Sequence, residues 1–434
     1  MPDELRISIE KLVYGGDGLA HADGNTVFVP YVLPGEEVRA ATKSKRKKLV
    51  WADLLEVTSP SAQREGARCP HFQTCGGCHY QHIPPAEQLR LKQEILRETL
   101  SRLGGIQWSG PIQQHAAEPY GYRNRAQWAV RNANPRAIGY FLPESSVIVP
   151  IDECPVLSPL LAKTFGQLQE LARANRLPEK VLEIEAFADS ADAKISLNVA
   201  FERFSKSAAE LAKILRDALP QLKSLLLADE SKERFELTGP GYLFHEAGGF
   251  RYRVSHLSFF QVNRFLVEDL LRTVVAGAKG ESALDLYAGV GFFTLPLARA
   301  FQRVVSVDAN LTATRDLQVN TEGAGVTVIS HNEHAEEFLR KTTEKPDFVV
   351  LDPPRSGLGA DAAAKLAALG AAEIAYLSCD PSTLARDLAV LTGSKKSDST
   401  EGAGIRYEIA DMHMFDLFPQ TYHIETLVRL KRAP

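Results

Sequence analysis

The chain has 434 residues, 44% of them hydrophobic and 24% charged, with 50 Lys and Arg against 54 Asp and Glu. That length allows two or three domains of about 100–200 residues, each able to bury a core. A net charge of −4 excludes a globally basic nucleic-acid binder, so any such surface has to be local. Apolar runs stop short of the ~18 residues of a membrane span, and the opening MPDELRISIEKL lacks the features of a secretory signal. Five cysteines, few and odd in number, argue against a disulfide framework and for a reducing cytoplasm.

Residues 1–60 predict an OB-like β-barrel. Alternating segments over 6–12, 26–32, 37–42 and 50–57 are parted by glycine turns such as Gly15-Gly16-Asp17-Gly18, and compact barrels of this kind often carry RNA. Between Arg39 and Lys48 stand Arg39, Lys43, Lys45, Arg46, Lys47 and Lys48, with no acidic residue. A solvated loop is one reading; charge segregated onto this module of an acidic protein points to phosphate contact.

Residues 61–83 form a Cys- and His-containing loop. The next segment, 84–104, predicts a helix with Leu89, Leu96, Leu100 and Leu103 near one face, prolines at its start and Gly104-Gly105 at its stop. Strands and two helices, near 158–175 and 205–218, complete an α+β middle domain over 61–255, whose helix 84–104 could pack on the C-terminal domain. Residues 393–404 read as a polar surface loop. From 256 to 434, strand-like runs over 283–287, 304–308, 326–330, 348–351 and 374–378 alternate with amphipathic helices, which predicts a doubly wound, Rossmann-like parallel sheet. Runs over 406–411 and 424–430 suit an antiparallel pair at its end.

The first βα turn reads Asp285-Leu-Tyr-Ala-Gly-Val-Gly-Phe-Phe, and the next strand ends in Asp308. A glycine turn at a helix N-terminus admits a ligand to the backbone, and an acidic residue about twenty positions on accepts from ribose hydroxyls. Leu295–Leu297 fill the place of the third glycine of the dinucleotide fingerprint, which favours S-adenosylmethionine over NAD. The alternatives are a tight turn without ligand and an Asp308 that only caps the following helix. The fourth strand ends in Asp352-Pro353-Pro354-Arg355, where prolines stiffen the loop that holds Asp352 at the ligand edge. The fifth ends in Ser378-Cys379-Asp380-Pro381. An isolated thiol is commonly buried filler; at this edge, beside Asp352, it is a candidate nucleophile. Glu425 starts the last strand on the same edge and is a candidate base.

The run Y-L-S-C-D-P-S-T-L-A-R-D, with L-D-P-P-R-S-G-L before it, F-P-Q-T-Y-H-I-E-T-L-V after it and Ser258-Phe259-Phe260-Gln261-Val262-Asn263 upstream, resembles the RNA uracil-C5 methyltransferases. The resemblance covers essentially the whole chain. It implies that Cys379 adds to uracil C6, so that C5 can attack the sulfonium methyl, and that Glu425 removes the C5 proton. It also places Tyr287, Asp308, Asp352 and Gln261 at S-adenosylmethionine, and Phe259, Gln261 and Asp352 at the uracil. Two departures bear on the cofactor: Asp308 stands where Glu is usual, and Phe292 at a position that is often polar.

The remaining cysteines, Cys69-x5-Cys75-x2-Cys78 and a distant Cys154, make a four-thiolate set that suits zinc or iron–sulfur. Part of the resembled family carries a [4Fe-4S] cluster on this pattern, so the resemblance implies the cluster in preference to zinc. The N-terminal module is similar to the TRAM domain. Barrel and cysteines together resemble the 23S rRNA enzymes that form 5-methyluridine, with a single-stranded rRNA loop as partner, no membrane, and action as a cytoplasmic monomer. A tRNA uridine enzyme, an RNA cytosine-C5 enzyme, and a catalytically dead RNA-binding or iron-sensing module are the alternatives.

Overall fold

The computed structural model describes residues 3–132, 136–177, 180–202, 208–229, 234–394 and 405–434. The loop expected over 393–404 lies, from 395 on, outside them, as do the first residues of the helix expected from 205.

In the N-terminal unit, alternate residues of each strand turn inward. Strands Glu4–Ser8, Lys11–Leu12, Asp17–Ala22, Asn25–Pro30, Glu37–Arg46 and Leu49–Ser59 lie in the order first, fifth, sixth, fourth, third, second. Ile9 N–H donates to Glu36 O (2.9 Å) and Glu10 N–H to Leu19 O (2.8 Å), so the first run of chain pairs with both edges and closes a barrel. Ile7, Val27, Val29, Val38 and Val50 fill it. The basic run is strand, not loop: Glu37–Arg46 pairs with Leu49–Ser59, and Lys47 (φ 56°) turns the hairpin. Arg39 pairs with Glu4 and Glu56, and Lys43 with Glu144. Lys45, Arg46, Lys47 and Lys48 make no ion pair among the described residues.

The middle sheet runs Ile148–Pro150, Ala137–Phe141, Arg125–Arg131, Val181–Ala188, Ile195–Phe201, Leu222–Asp229, Phe235–Thr238. Helix Pro159–Arg173 covers it through Leu161, Phe165 and Leu168, which pack with Trp128, Ile184 and Leu197. Ser158 caps that helix and Pro159 sits at its first position.

In the C-terminal sheet the strand order is Ile329–His331, Phe301–Val307, Gly280–Leu286, Phe348–Leu351, Glu373–Ser378, Glu425–Arg432, Tyr407–Phe415, Gln113–His115. The first five are parallel, and Glu425–Arg432 and Tyr407–Phe415 add as the expected antiparallel pair. Strand order reverses between Gly280–Leu286 and Phe348–Leu351, where a doubly wound sheet opens its ligand crevice.

The sequence boundaries put 61–255 in one unit; the packing divides that stretch. Gln113–His115 is the outer strand of the C-terminal sheet. Helix Pro85–Thr99 and the π-helical turn Leu100–Gly104 bury Leu91, Ile95, Leu96 and Leu100 among Leu351, Leu384 and Leu388. Leu89 is only partly buried and Leu103 is exposed, so the buried stripe is rotated from the expected face. The helix also carries a fully buried Lys92, whose ammonium meets Asp416 at 2.7 Å. No helix among the described residues is long and apolar enough to cross a membrane.

Candidate active site at the carboxyl edge of the sheet

Strand pairing brings the nucleophile and base candidates together. Ser378 lies opposite Thr426 in the antiparallel register, which sets Cys379 beside Glu425. Cys379 precedes Asp380, whose carboxylate accepts from Ser382 N (2.8 Å) and Thr383 N (3.1 Å) and caps helix Pro381–Thr392. The thiol therefore sits just ahead of a helix N-terminus. Its pKa is nonetheless pushed up to about 12, by burial first and then by Glu425 and Asp352, against which Arg355 acts. Burial raises the carboxyls of Glu425 and Asp352 as well, and Asp352 drives Glu425 higher still. Two buried carboxyls this close favour holding a proton between them.

Asp352 is fastened from outside. Buried Asp387 accepts from Leu358 N (2.7 Å), Gly359 N (3.2 Å) and the Tyr376 hydroxyl (2.6 Å), while Arg386 donates to Ser356 O and Thr383 to Arg355 O. The Asp-Pro-Pro-Arg-Ser-Gly-Leu loop is thus strapped to the helix that follows Cys379. Gly357 (φ +69°) allows the close approach, since a Cβ there would stand 2.6 Å from Asp387 Oδ2.

At the cofactor turn, Asp308 does not cap the next helix; Asn310 does, accepting from Thr312 N and Ala313 N. The Asp308 carboxylate instead accepts from Gly289 N (2.8 Å) and Asn310 N (2.7 Å), joining two strand-end loops. Asp285, beneath them, accepts from the Thr294 hydroxyl at 2.5 Å, and burial with Asp308 and Asp352 nearby pushes it up to about 8. A buried carboxyl raised further by two others nearby marks a negative patch that suits a ligand bearing positive charge, such as a sulfonium. Tyr287 (φ 62°) turns its hydroxyl to Glu336 at 2.8 Å. Phe292 is core: it packs with Tyr252 and Phe260, and its carbonyl accepts from the Tyr252 hydroxyl, so its side chain offers a cofactor no polar contact.

Phe259 and Gln261 lie on a separate loop. Ser258 Oγ donates to Asp316 and Asn310 Nδ2 to Leu257 O, which sets that loop beside the Asp308 turn. Phe259 is 59% exposed and Gln261 is buried. No hydrogen bond joins either side chain to Cys379, Asp352 or Glu425 among the described residues. Two contributors are absent from the sequence reading. The Tyr14 hydroxyl, from the barrel, donates to Cys379 O at 3.2 Å. Arg355 Nη2 donates to His423 Nε2 at 3.3 Å, and burial followed by Arg355 pushes His423 down to about 3, so its ring is neutral and accepts.

Cys69, Cys75, Cys78 and Cys154 line a single cavity of about 40 Å³ together with Arg123 and Tyr140. None of the four is in a disulfide. Among the described residues, however, no three His, Cys, Asp or Glu side chains converge closely enough to hold one metal ion. The expected ligand set thus shares one cavity without converging on a single point.

The tRNA (Uracil-5-)-methyltransferase family model matches residues 85–433, and the TRAM domain model matches residues 3–49. The chain belongs to the tRNA (uracil-5-)-methyltransferase family. Among relatives in this family, an RNA methyltransferase of Aquifex aeolicus is 33% identical over 98% of both chains. A 23S rRNA (uracil(1939)-C(5))-methyltransferase of Alkalilimnicola ehrlichii is 31% identical over 99% of this chain and 97% of its own. Its namesake in Pseudomonas fluorescens is 34% identical over 97% and 90%. The fold is that of the Pyrococcus abyssi tRNA (uracil-54, C5)-methyltransferase bound to S-adenosyl-L-homocysteine, with a TM-score of 0.76 and 24% identity over 98% of this chain and 100% of that one.

Proposed function

We propose that this methyltransferase forms 5-methyluridine in 23S rRNA, with Cys379 as nucleophile and Glu425 as base. The observation that carries the reading is the meeting of Cys379, Glu425 and Asp352 at the carboxyl edge of the sheet, beside its switch point. The Cys379 thiol gives up its proton to solvent and the thiolate adds to C6 of an unstacked uracil, while the proton shared by the carboxyl pair stays on Asp352 and leaves Glu425 ionised. S-adenosylmethionine, when bound, supplies the methyl group that C5 takes. Glu425, ionised, then removes the C5 proton, the C5–C6 double bond re-forms and Cys379 leaves. Asp308, Asp352, Tyr287 and Gln261 are the proposed cofactor contacts; Phe259, Gln261 and Asp352 hold the base, with exposed Phe259 offering a stacking face.

Relatives of full length named for 23S rRNA support that RNA over tRNA. One copy contains every group the proposed reaction uses, which supports a monomer, and the proposed place of action is a single-stranded rRNA loop in the cytoplasm. We further propose that Cys69, Cys75, Cys78 and Cys154 hold a [4Fe-4S] cluster. In such a cluster each thiolate binds its own iron, so four thiols around one cavity need not converge on a point. Iron and sulfide analysis after anaerobic purification should give about four of each per chain, and stoichiometric zinc without visible absorbance would overturn the assignment.

The function is tested with S-adenosylmethionine and rRNA carrying 5-fluorouridine. Fluorine at C5 cannot leave as a proton, so a denaturation-resistant adduct should form and should be lost in Cys379→Ala. Tight RNA binding with no adduct would favour a binding module, and 5-methyluridine appearing only in tRNA would reassign the substrate.

A further inference from the structure

A second concavity, of about 640 Å³, opens between the barrel, the cysteine loop and the middle unit, with Tyr422 of the C-terminal unit at its inner end. That volume is in the range of small-ligand pockets. Its walls are aromatic: Phe28 and Trp51 stack with centroids 5.7 Å apart, and Tyr31, His79 and Tyr422 complete them. All five rings are half-buried. The groove is fitted closely to the active site. Gly16 (φ +102°) lets the barrel turn lie on His79 and Tyr422, where a Cβ would stand 3.4 Å from each. Tyr14 of that turn meets Tyr422 edge-on at 5.6 Å and reaches Cys379 O with its hydroxyl.

Asp17 lines the groove, and while its backbone carbonyl accepts from Val13 N–H (2.9 Å), its carboxylate makes no hydrogen bond or ion pair among the described residues. Burial pushes it up to about 6, with Glu144 adding to the rise and Lys43 opposing it, so it is a carboxylate at neutral pH. Beyond the groove, the barrel's hairpin carries Lys45, Arg46, Lys47 and Lys48 without ion-pair partners among the described residues. Aromatic faces beside free cations are the equipment of a site for a single-stranded nucleotide.

We propose that this groove holds a nucleobase flanking the reacting uridine, stacked on Trp51 and Phe28, with Asp17 selecting guanine. A carboxylate offers only acceptors. Guanine presents two adjacent donors, N1–H and N2–H2, whereas cytosine and adenine present one amino group beside an acceptor, and uracil one N–H between two acceptors. The inference rests on the RNA reading above.

The test uses the full chain and short uridine-rich oligoribonucleotides carrying one guanosine, adenosine or cytidine. Guanosine should quench Trp51 fluorescence, read against Trp51→Phe. In methylation of rRNA, Trp51→Ala should raise the apparent KM about fivefold or more while kcat holds, and Trp51→Phe should restore it. Asp17→Asn should erase an approximately tenfold preference for guanosine over adenosine. An unchanged preference in Asp17→Asn, or an unchanged KM in Trp51→Ala, with methylation intact, sinks the groove and leaves the enzyme. Guanosine-dependent quenching with no methylation of any RNA sinks the enzymatic reading and leaves the groove.

Discussion

Cys379 is a poor nucleophile in the free protein, because burial, and then the carboxyls that serve the later step, oppose its ionisation. The same electrostatics suit the base. A carboxyl raised by burial and by Asp352 binds the C5 proton more strongly than an exposed one would. Glu425→Gln should therefore accumulate methylated covalent adduct, and free product at the wild-type rate would refute the role. Release of product should fall as pH is lowered through a value above the ordinary carboxylate range, and rapid-quench measurements on the pre-formed adduct would show that limb. Asp285 makes a separate prediction. Its pKa rises from an ordinary 3.8 to about 8 on folding, so the folded state binds the extra proton between those values. Stability from this group is therefore present at low pH and lost as pH rises through that window. Asp285→Asn keeps an acceptor for Thr294 and should flatten the slope in urea titrations; equal slopes would refute the assignment.

At the scale of elements, the strap between the Asp352 loop and helix Pro381–Thr392 is the device that fixes the site. Gly357→Ala puts a Cβ against Asp387, Arg386 and Thr383 at a positive φ, and should cost about 1–3 kcal/mol and lower kcat more than it raises KM. A variant with wild-type kcat would show that the loop's position does not limit the reaction. Much of this arrangement was legible in the sequence: parallel strands announce themselves as apolar runs, and the residues ending them face the crevice. The rest was not, for physical reasons. Gln113–His115 is three polar residues with no periodicity, a strand only because Tyr407–Phe415 offers an edge. Lys92 reads as a solvated face, and only Asp416, over three hundred residues away, makes its burial tolerable. Tyr14 looks like an ordinary barrel aromatic until the fold lays it on Cys379. Asp308 was expected at a ribose, and its bonds to Gly289 and Asn310 are equally invisible in one dimension.

At the scale of the molecule, the barrel is built into the enzyme rather than appended to it. Its own core is small, while Leu12 and Leu33 leave that core and pack with Tyr80, Ile83 and Leu91 in the cluster that runs on to the strands beneath Cys379. Lys92–Asp416 fastens the next segment to the same body. The exposed Lys11–Glu98 pair at 2.6 Å adds little beside these. Barrel and catalytic unit should then unfold as one. Leu33→Ala removes a side chain that is 1% exposed at this seam and should cost about 2–5 kcal/mol, moving a single calorimetric transition downward without splitting it. The same variant should weaken methylation, because the seam also carries Tyr14 to Cys379 and Gly16 to Tyr422. A separate barrel transition, with the catalytic transition left where it was in the wild type, would mean that the two units are merely tethered. In that case the Tyr14 hydroxyl bond could not position Cys379, and Tyr14→Phe would leave kcat unchanged.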